Sequence, residues 1–203
     1  MNAPHLVLAS GSPRRRELLS HAGFRFEVDV ADLDETIHDG ESPIAATVRL
    51  AIEKAEAVAQ RRGEAQAGGG ASELVLAADT TVVVGERILG KPVDPREAVE
   101  MLLCLAGRNH VVLTAWALLP VDGHPGTPEC GISRSTVRMR EISRSEAEAY
   151  AASGEPMDKA GAYAAQGEGC RFIGAITGPL DNVIGLPMPP VVAALSRGGI
   201  VPA

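Results

Sequence analysis

Apolar residues recur along the chain with two different periods. Leu6-Val7-Leu8-Ala9 and Leu74-Val75-Leu76-Ala77-Ala78 are short unbroken apolar runs, as expected of strands buried on both faces. The first run stops at Ser10-Gly11-Ser12. A helix then begins with Pro13 in its first position, where the missing N–H costs nothing, and with Ser12 as its N-cap. Gly23 ends that helix, and Phe24 to Val30 alternates apolar and polar as a half-buried strand does. Ser42-Pro43 opens a second helix whose buried stripe is Ile44, Val48, Ala51, Ile52, Ala55, Val58 and Ala59. Lys54 lies next to that stripe, where a lysine ordinarily snorkels to water.

Gln60 to Glu73, with Gly68-Gly69-Gly70, reads as a flexible surface loop. The second apolar run ends at Asp79, is followed by Thr80-Thr81 and Val82 to Val84, and turns at Gly85-Glu86 into Arg87-Ile88-Leu89 as a hairpin. Asp94-Pro95 caps a helix to Leu105, with Ala98, Met101, Leu102 and Leu105 inward. His110 to Leu119 and Cys130 to Glu141 read as a second hairpin across the Gly/Pro-rich loop Pro120 to Pro128. Ser143 and Glu146 form a capping box for a helix to Ala152. Gly154 to Gly169 is rich in small residues with Asp158, Lys159 and Gln166 between them. A strand over Arg171 to Ile176 and a helix over Pro190 to Ser196 complete an α/β pattern.

Composition narrows the chemistry. Only 3% of the 203 residues are aromatic, so a core has to be built from Ala, Val, Leu and Ile. A net charge of −7 argues against nonspecific nucleic-acid binding, which needs a broad basic footprint. Cys104, Cys130 and Cys170 are odd in number and far apart, so neither a disulfide framework nor a zinc site is expected, and a reducing cytoplasm fits. No basic stretch precedes an apolar segment at the N-terminus, and no apolar run is long enough to span a bilayer; neither secretion nor a membrane span is expected.

Three places carry candidate chemistry. At Ser10 to Arg16 a strand, a small-residue turn and a helix start are followed by Arg14, Arg15 and Arg16, in the first turn where the helix dipole disfavours cations. Free helix N–H groups beside guanidiniums describe an anion site of the kind that takes phosphate; the plain alternative is a solvated basic helix start. Asp79 ends a buried run, and a carboxylate there is costly unless paired or holding a metal, which makes it the best single catalytic candidate. The acidic stretch Asp32, Asp34, Glu35, Asp39 and Glu41 is either a solvated loop or a source of hard oxygen ligands for Mg²⁺ or Mn²⁺. Gly85, Gly90 and Lys91 match the phosphate-loop spacing, but Pro92 replaces the required hydroxyl residue and no helix follows directly; that reading is rejected, and Lys91 remains a point charge for phosphate.

These residues resemble the Maf family of nucleoside triphosphate pyrophosphatases. The resemblance runs through Leu8-Ala9-Ser10, Ser12-Pro13-Arg14-Arg15, Glu17-Leu18-Leu19, Ala78-Asp79-Thr80, Leu89-Gly90-Lys91-Pro92, Gly107-Arg108 with His110, Lys159-Ala160-Gly161-Ala162-Tyr163 with Gln166-Gly167, and Gly185-Leu186-Pro187. It covers nearly the whole chain, 1–203, as one domain. It implies an α/β fold with a mixed, strongly twisted central sheet, flanking helices and two lobes around a deep cleft. It implies metal-dependent hydrolysis of nucleoside triphosphates to the monophosphate and diphosphate by a cytoplasmic enzyme, often a homodimer. Asp79 is then general base or metal ligand, and Glu35 the additional metal ligand. Arg15, Lys54 and Lys91 neutralise triphosphate charge, and Ser10 binds phosphate oxygens. Arg14, Thr80 and Gln166 set specificity, and Thr80 with Gln166 looks like the branch acting on dTTP and UTP, with the 7-methyl-GTP branch as the alternative. A hydroxyl and an amide complement the edge of a pyrimidine. A nucleic-acid-binding regulator of cell division and a silent nucleotide sensor are the readings from other classes.

Overall fold

The computed structural model describes residues 4–65, 72–121 and 127–203. The elements are β1 (His5–Leu8), α1 (Pro13–His21), β2 (Glu27–Val28), α2 (Pro43–Ala65), β3 (Glu73–Val84), β4 (Arg87–Leu89), α3 (Pro95–Leu105), β5 (Asn109–Pro120), β6 (Glu129–Met139), α4 (Arg144–Ala152), β7 (Ile173–Thr177), α5 (Leu180–Ile184) and α6 (Met188–Arg197). Three 3-10 turns, Glu155–Asp158, Ala160–Ala162 and Gly167–Phe172, lie between α4 and β7. Among the described residues the strands form a mixed seven-stranded sheet in the order β2-β1-β3-β5-β6-β7, with β4 on β3. β1 runs parallel to β2 and β3, whereas β4 and β7 are antiparallel to their partners. No described helix is long and apolar enough to cross a membrane.

The chain divides into two units. The first takes residues up to Asp79, Thr114–Ile132 and Gly185–Ala203; the second takes Thr80–Leu113 and Ser133–Ile184. In the first unit the unbroken apolar runs are buried on both sides, as their composition requires. Leu6, Leu8, Leu74, Leu76, Ala78, Trp116 and Leu118 pack against Leu19 of α1 and Val191, Ala194 and Leu195 of α6. The alternate residues Val7, Ala9, Val75, Ala77, Ala115, Ala117 and Leu119 pack against Ala51, Ala55, Val58 and Ala59 of α2. This strict alternation is the period of two that a pleated strand imposes. The second unit has its own core, in which Leu102 and Leu105 of α3 meet Val137 and Met139 of β6 and Tyr150 of α4.

Several local expectations shift. The alternating stretch Phe24 to Val30 yields a strand of two residues, because only Glu27 and Val28 pair with β1. α2 continues past Ala59 to Ala65. Its extra turns are held by Arg62, whose guanidinium bonds Glu27, Asp29 and Glu73, carboxylates from distant parts of the chain. The Gly68 to Gly70 loop lies outside the described residues. The α2 stripe is also rotated: Ile44 is 55% exposed, while Thr47, Leu50 and Lys54 are buried. Ser12 is the N-cap of α1 by backbone, but its side chain makes no capping bond; its N–H instead donates to Ser10 Oγ at 3.3 Å.

Candidate functional site

Asp79 owes its position to the period of β3. Val75 and Ala77 face α2, and Asp79 continues that face two residues on. Asp79 is only 7% exposed, and a buried charge needs a partner. Lys54 supplies it from the same α2 face, where it is 8% exposed rather than snorkelling to water. Lys54 Nζ lies 2.6 Å from Asp79 Oδ1 and 3.0 Å from Glu35 Oε1. One ammonium therefore binds two carboxylates that are 44 residues apart in sequence.

The other carboxylates of the acidic stretch do something else. Asp34 accepts from the Thr36 N–H at 2.9 Å and hydroxyl at 2.5 Å, which holds its carboxyl below the usual range. Glu41 accepts two guanidinium N–H groups of Arg49, at 2.8 and 2.7 Å, and the His38 N–H. The Arg49 bond is the largest cause that brings the Glu41 carboxyl down to about 2. Asp32 and Asp39 are exposed. Glu35 is thus the member of the stretch that Lys54 engages, and the rest is local turn structure and surface.

At the end of β1, Ser10 Oγ accepts from Arg15 Nη1 at 3.0 Å and from the Ser12 N–H at 3.3 Å. Arg15 Nε donates to the Gly185 carbonyl at 2.8 Å. These bonds fix the guanidinium over the Ser10 turn. Burial pulls the Arg15 pKa down; Asp79 pushes it back up most strongly, Arg14 lowers it and Glu35 raises it. Arg15 is therefore electrostatically coupled to the carboxylates that hold Lys54. With two acceptor positions of Ser10 Oγ engaged, its own proton is the function left for a phosphate oxygen. Arg14 is half-buried and Arg16 exposed.

Ser10, Arg14, Arg15, Glu35, Lys54 and Asp79 all belong to the first unit. Thr80, Lys91 and Gln166 belong to the second. Thr80 follows Asp79 directly on β3 and is half-buried; Lys91 and Gln166 are exposed. The Gly90 carbonyl beside Lys91 accepts the Gly161 N–H at 3.0 Å. Asp158 and Lys159, read as polar groups between small residues, bind one another at 2.6 Å, and Lys159 also donates to the Glu155 carbonyl.

Among the described residues no group of three or more His, Cys, Asp or Glu is arranged to hold a metal. The Glu35 and Asp79 carboxylates, already gathered on one cation, match the donor set of Mg²⁺, which takes one or two carboxylates and completes its shell with water and substrate phosphates.

The model of the Maf-like protein family matches residues 5–198. The chain belongs to the Maf family. Relatives agree over almost their whole length. A protein of Myxococcus xanthus named dTTP/UTP pyrophosphatase is 48% identical over 202 residues, covering 98% of this chain and 96% of the relative. Proteins of the same name from Hahella chejuensis and Anaeromyxobacter dehalogenans are 45% and 43% identical, covering 96% and 97% of this chain and 92% and 95% of the relatives.

Two residues of this Maf protein carry more structure than the pattern indicated. His110 is 2% exposed, and its Nε2 lies 2.7 Å from Tyr163 Oη, while its Nδ1 has no partner among the described residues. Burial lowers its pKa from 6.5 to about 4. Glu155 accepts from Tyr150 Oη at 2.8 Å and from the N–H groups of Glu168 and Gly169, each at 3.1 Å. The signal for Glu155 was slight, a carboxylate between Gly154 and Pro156 where backbone donors were needed further along.

Proposed function

We propose that this protein hydrolyses dTTP and UTP to the monophosphate and diphosphate, with base-modified pyrimidine triphosphates as further substrates and a divalent cation as cofactor. The names of relatives at 43–48% identity support the substrate class. The observation that carries the chemistry is the buried Lys54 ammonium bound by both Asp79 and Glu35, with Arg15 coupled to the same carboxylates.

Water attacks the α-phosphorus and the bond to the bridging oxygen breaks, so diphosphate leaves. Such chemistry depends on positioning and charge neutralisation more than on covalent steps. Asp79 takes the proton of the attacking water as general base. Lys54 orients the Asp79 carboxylate and offsets the charge that builds on the phosphoryl oxygens. Arg15 and Lys91 neutralise the triphosphate, and the Ser10 hydroxyl donates to one of its oxygens. Glu35 and Asp79 are the residues to hold Mg²⁺ or Mn²⁺, which when bound supplies Lewis-acid stabilisation of the phosphate charge. Arg14, Thr80 and Gln166 read the base.

Diphosphate release from dTTP, UTP, CTP and 7-methyl-GTP, with Mg²⁺ or Mn²⁺ present, tests the proposal. Turnover of dTTP and UTP above the other two is expected. Preference for 7-methyl-GTP would overturn the branch, and no release from any of the four would overturn the activity.

A further inference from the structure

Gln166 is exposed and caps the 3-10 turn Gly167–Phe172. Its own side chain does not bond the turn it caps, so the chain on either side has to set its direction. On one side stands Tyr163, three residues earlier, whose hydroxyl meets buried His110 at 2.7 Å. On the other side stands the Glu155 carboxylate. One oxygen takes the Glu168 N–H, and the other takes the Gly169 N–H and the Tyr150 hydroxyl. Tyr150 is fully buried and meets the Phe172 ring edge-on at 5.2 Å. Glu155 is therefore fixed to the core of the second unit at one end and to the turn after Gln166 at the other.

The fit is close. A Cβ on Gly167, which has φ +71°, would lie 2.9 Å from Glu155 Oε2, and one on Gly169 would lie 2.5 Å from Tyr150 Oη. Neither position accepts a side chain without moving the clamp. The hydrogen bonds also keep the Glu155 carboxyl ionised: burial alone would raise its pKa, but Tyr150 and the two N–H groups bring the net shift below the ordinary value. An ionised acceptor makes bonds roughly twice as strong as a neutral one.

We infer that Glu155 is a positioning residue for Gln166, and that pyrimidine discrimination depends on this internal carboxylate although it touches no substrate. The inference rests on the reading of Gln166 as a base-contacting residue. A site that hydrogen-bonds a substrate edge loses discrimination when its donors are misplaced, because groups are then left unpaired.

The test is steady-state hydrolysis of dTTP and CTP by wild type, Gln166→Ala, Glu155→Gln and the double variant, with the melting temperature of each. Glu155→Gln keeps the shape and removes the charge. It is expected to raise KM for dTTP about tenfold, leave kcat within about twofold, and lower the dTTP/CTP ratio of kcat/KM about tenfold. The double variant is expected to be no worse than Gln166→Ala alone, since both changes remove one function. Tyr150→Phe, which removes only the hydroxyl that orients Glu155, shifts the same ratio about threefold, and serves if Glu155→Gln does not fold. Equal losses on dTTP and CTP, or losses that multiply in the double variant, overturn the inference. So does an unchanged ratio in Glu155→Gln while Gln166→Ala loses discrimination, and this leaves the reading of Gln166 standing. An unchanged ratio in Gln166→Ala overturns that reading and the inference together.

Discussion

Lys54 Nζ lies 2.6 Å from Asp79 Oδ1, with both side chains nine-tenths buried. The pairing follows from two periodicities meeting: every second residue of β3 and every third or fourth residue of α2 face one another. The proposed function puts the general base on the carboxylate and its orientation on the ammonium. Asp79→Ala is expected to lower kcat on dTTP by roughly 10² or more, as for loss of a positioned base. Circular dichroism would check that the fold is kept; near-wild-type turnover in a folded variant would refute the role.

Removing the ammonium exposes the other half of the relationship. Lys54→Met removes the ammonium that Asp79 and Glu35 share. Breaking a buried pair at one end costs on the order of 3 kcal/mol, so the urea midpoint should fall clearly. Mg²⁺ should raise the melting temperature of this variant more than that of wild type, because it then meets the two carboxylates without competition from the Lys54 ammonium. An equal effect of Mg²⁺ on both proteins would contradict Glu35 and Asp79 as its ligands.

The three arginines of α1 should behave unequally. Arg15 is bonded to Ser10 and Gly185 and coupled to Asp79, whereas Arg16 is exposed. Arg15→Ala is expected to lower kcat/KM by at least about tenfold, the scale of one charge-assisted contact. Arg16→Ala should be nearly silent, and Arg14→Ala should change the preference among nucleotides. Equal losses at all three would mean a diffuse basic patch.

His110 gives the fold a pH dependence of known sign. Its folded pKa is lowered from 6.5 to about 4, so the neutral form belongs to the native state. The stabilisation is present above pH 6.5 and is lost as pH falls toward 4, by about 3 kcal/mol in all. Urea denaturation across that range should show a shallower acid loss in His110→Gln than in wild type. Parallel curves would contradict the assignment.

Much of this was legible in the chain. Both faces of β1 and β3 are buried, so their apolar runs are unbroken, and Asp79 stands out where the second one stops. Pro13, Pro43 and Pro95 mark helix starts, and the Ser143–Glu146 capping box forms with both bonds. The position of Lys54 was not legible. Ile44 extends the apolar spacing into the first turn of α2, which rotates the apparent stripe and leaves Lys54 at its edge. The structure puts Lys54 inside the buried face, because Ala51 and Ala55 let the helix lie close and Asp79 compensates the charge. Glu155 was hidden for a different reason. Its partners are two backbone N–H groups and one hydroxyl, and backbone donors leave no residue type to read.

The most direct test of water attack at the α-phosphorus is hydrolysis of dTTP in heavy-oxygen water with Mg²⁺, followed by mass analysis of the products. Heavy oxygen in dTMP, with dTMP and diphosphate formed one to one, is the expected result. Heavy oxygen in the diphosphate, or release of dTDP and inorganic phosphate, would contradict it.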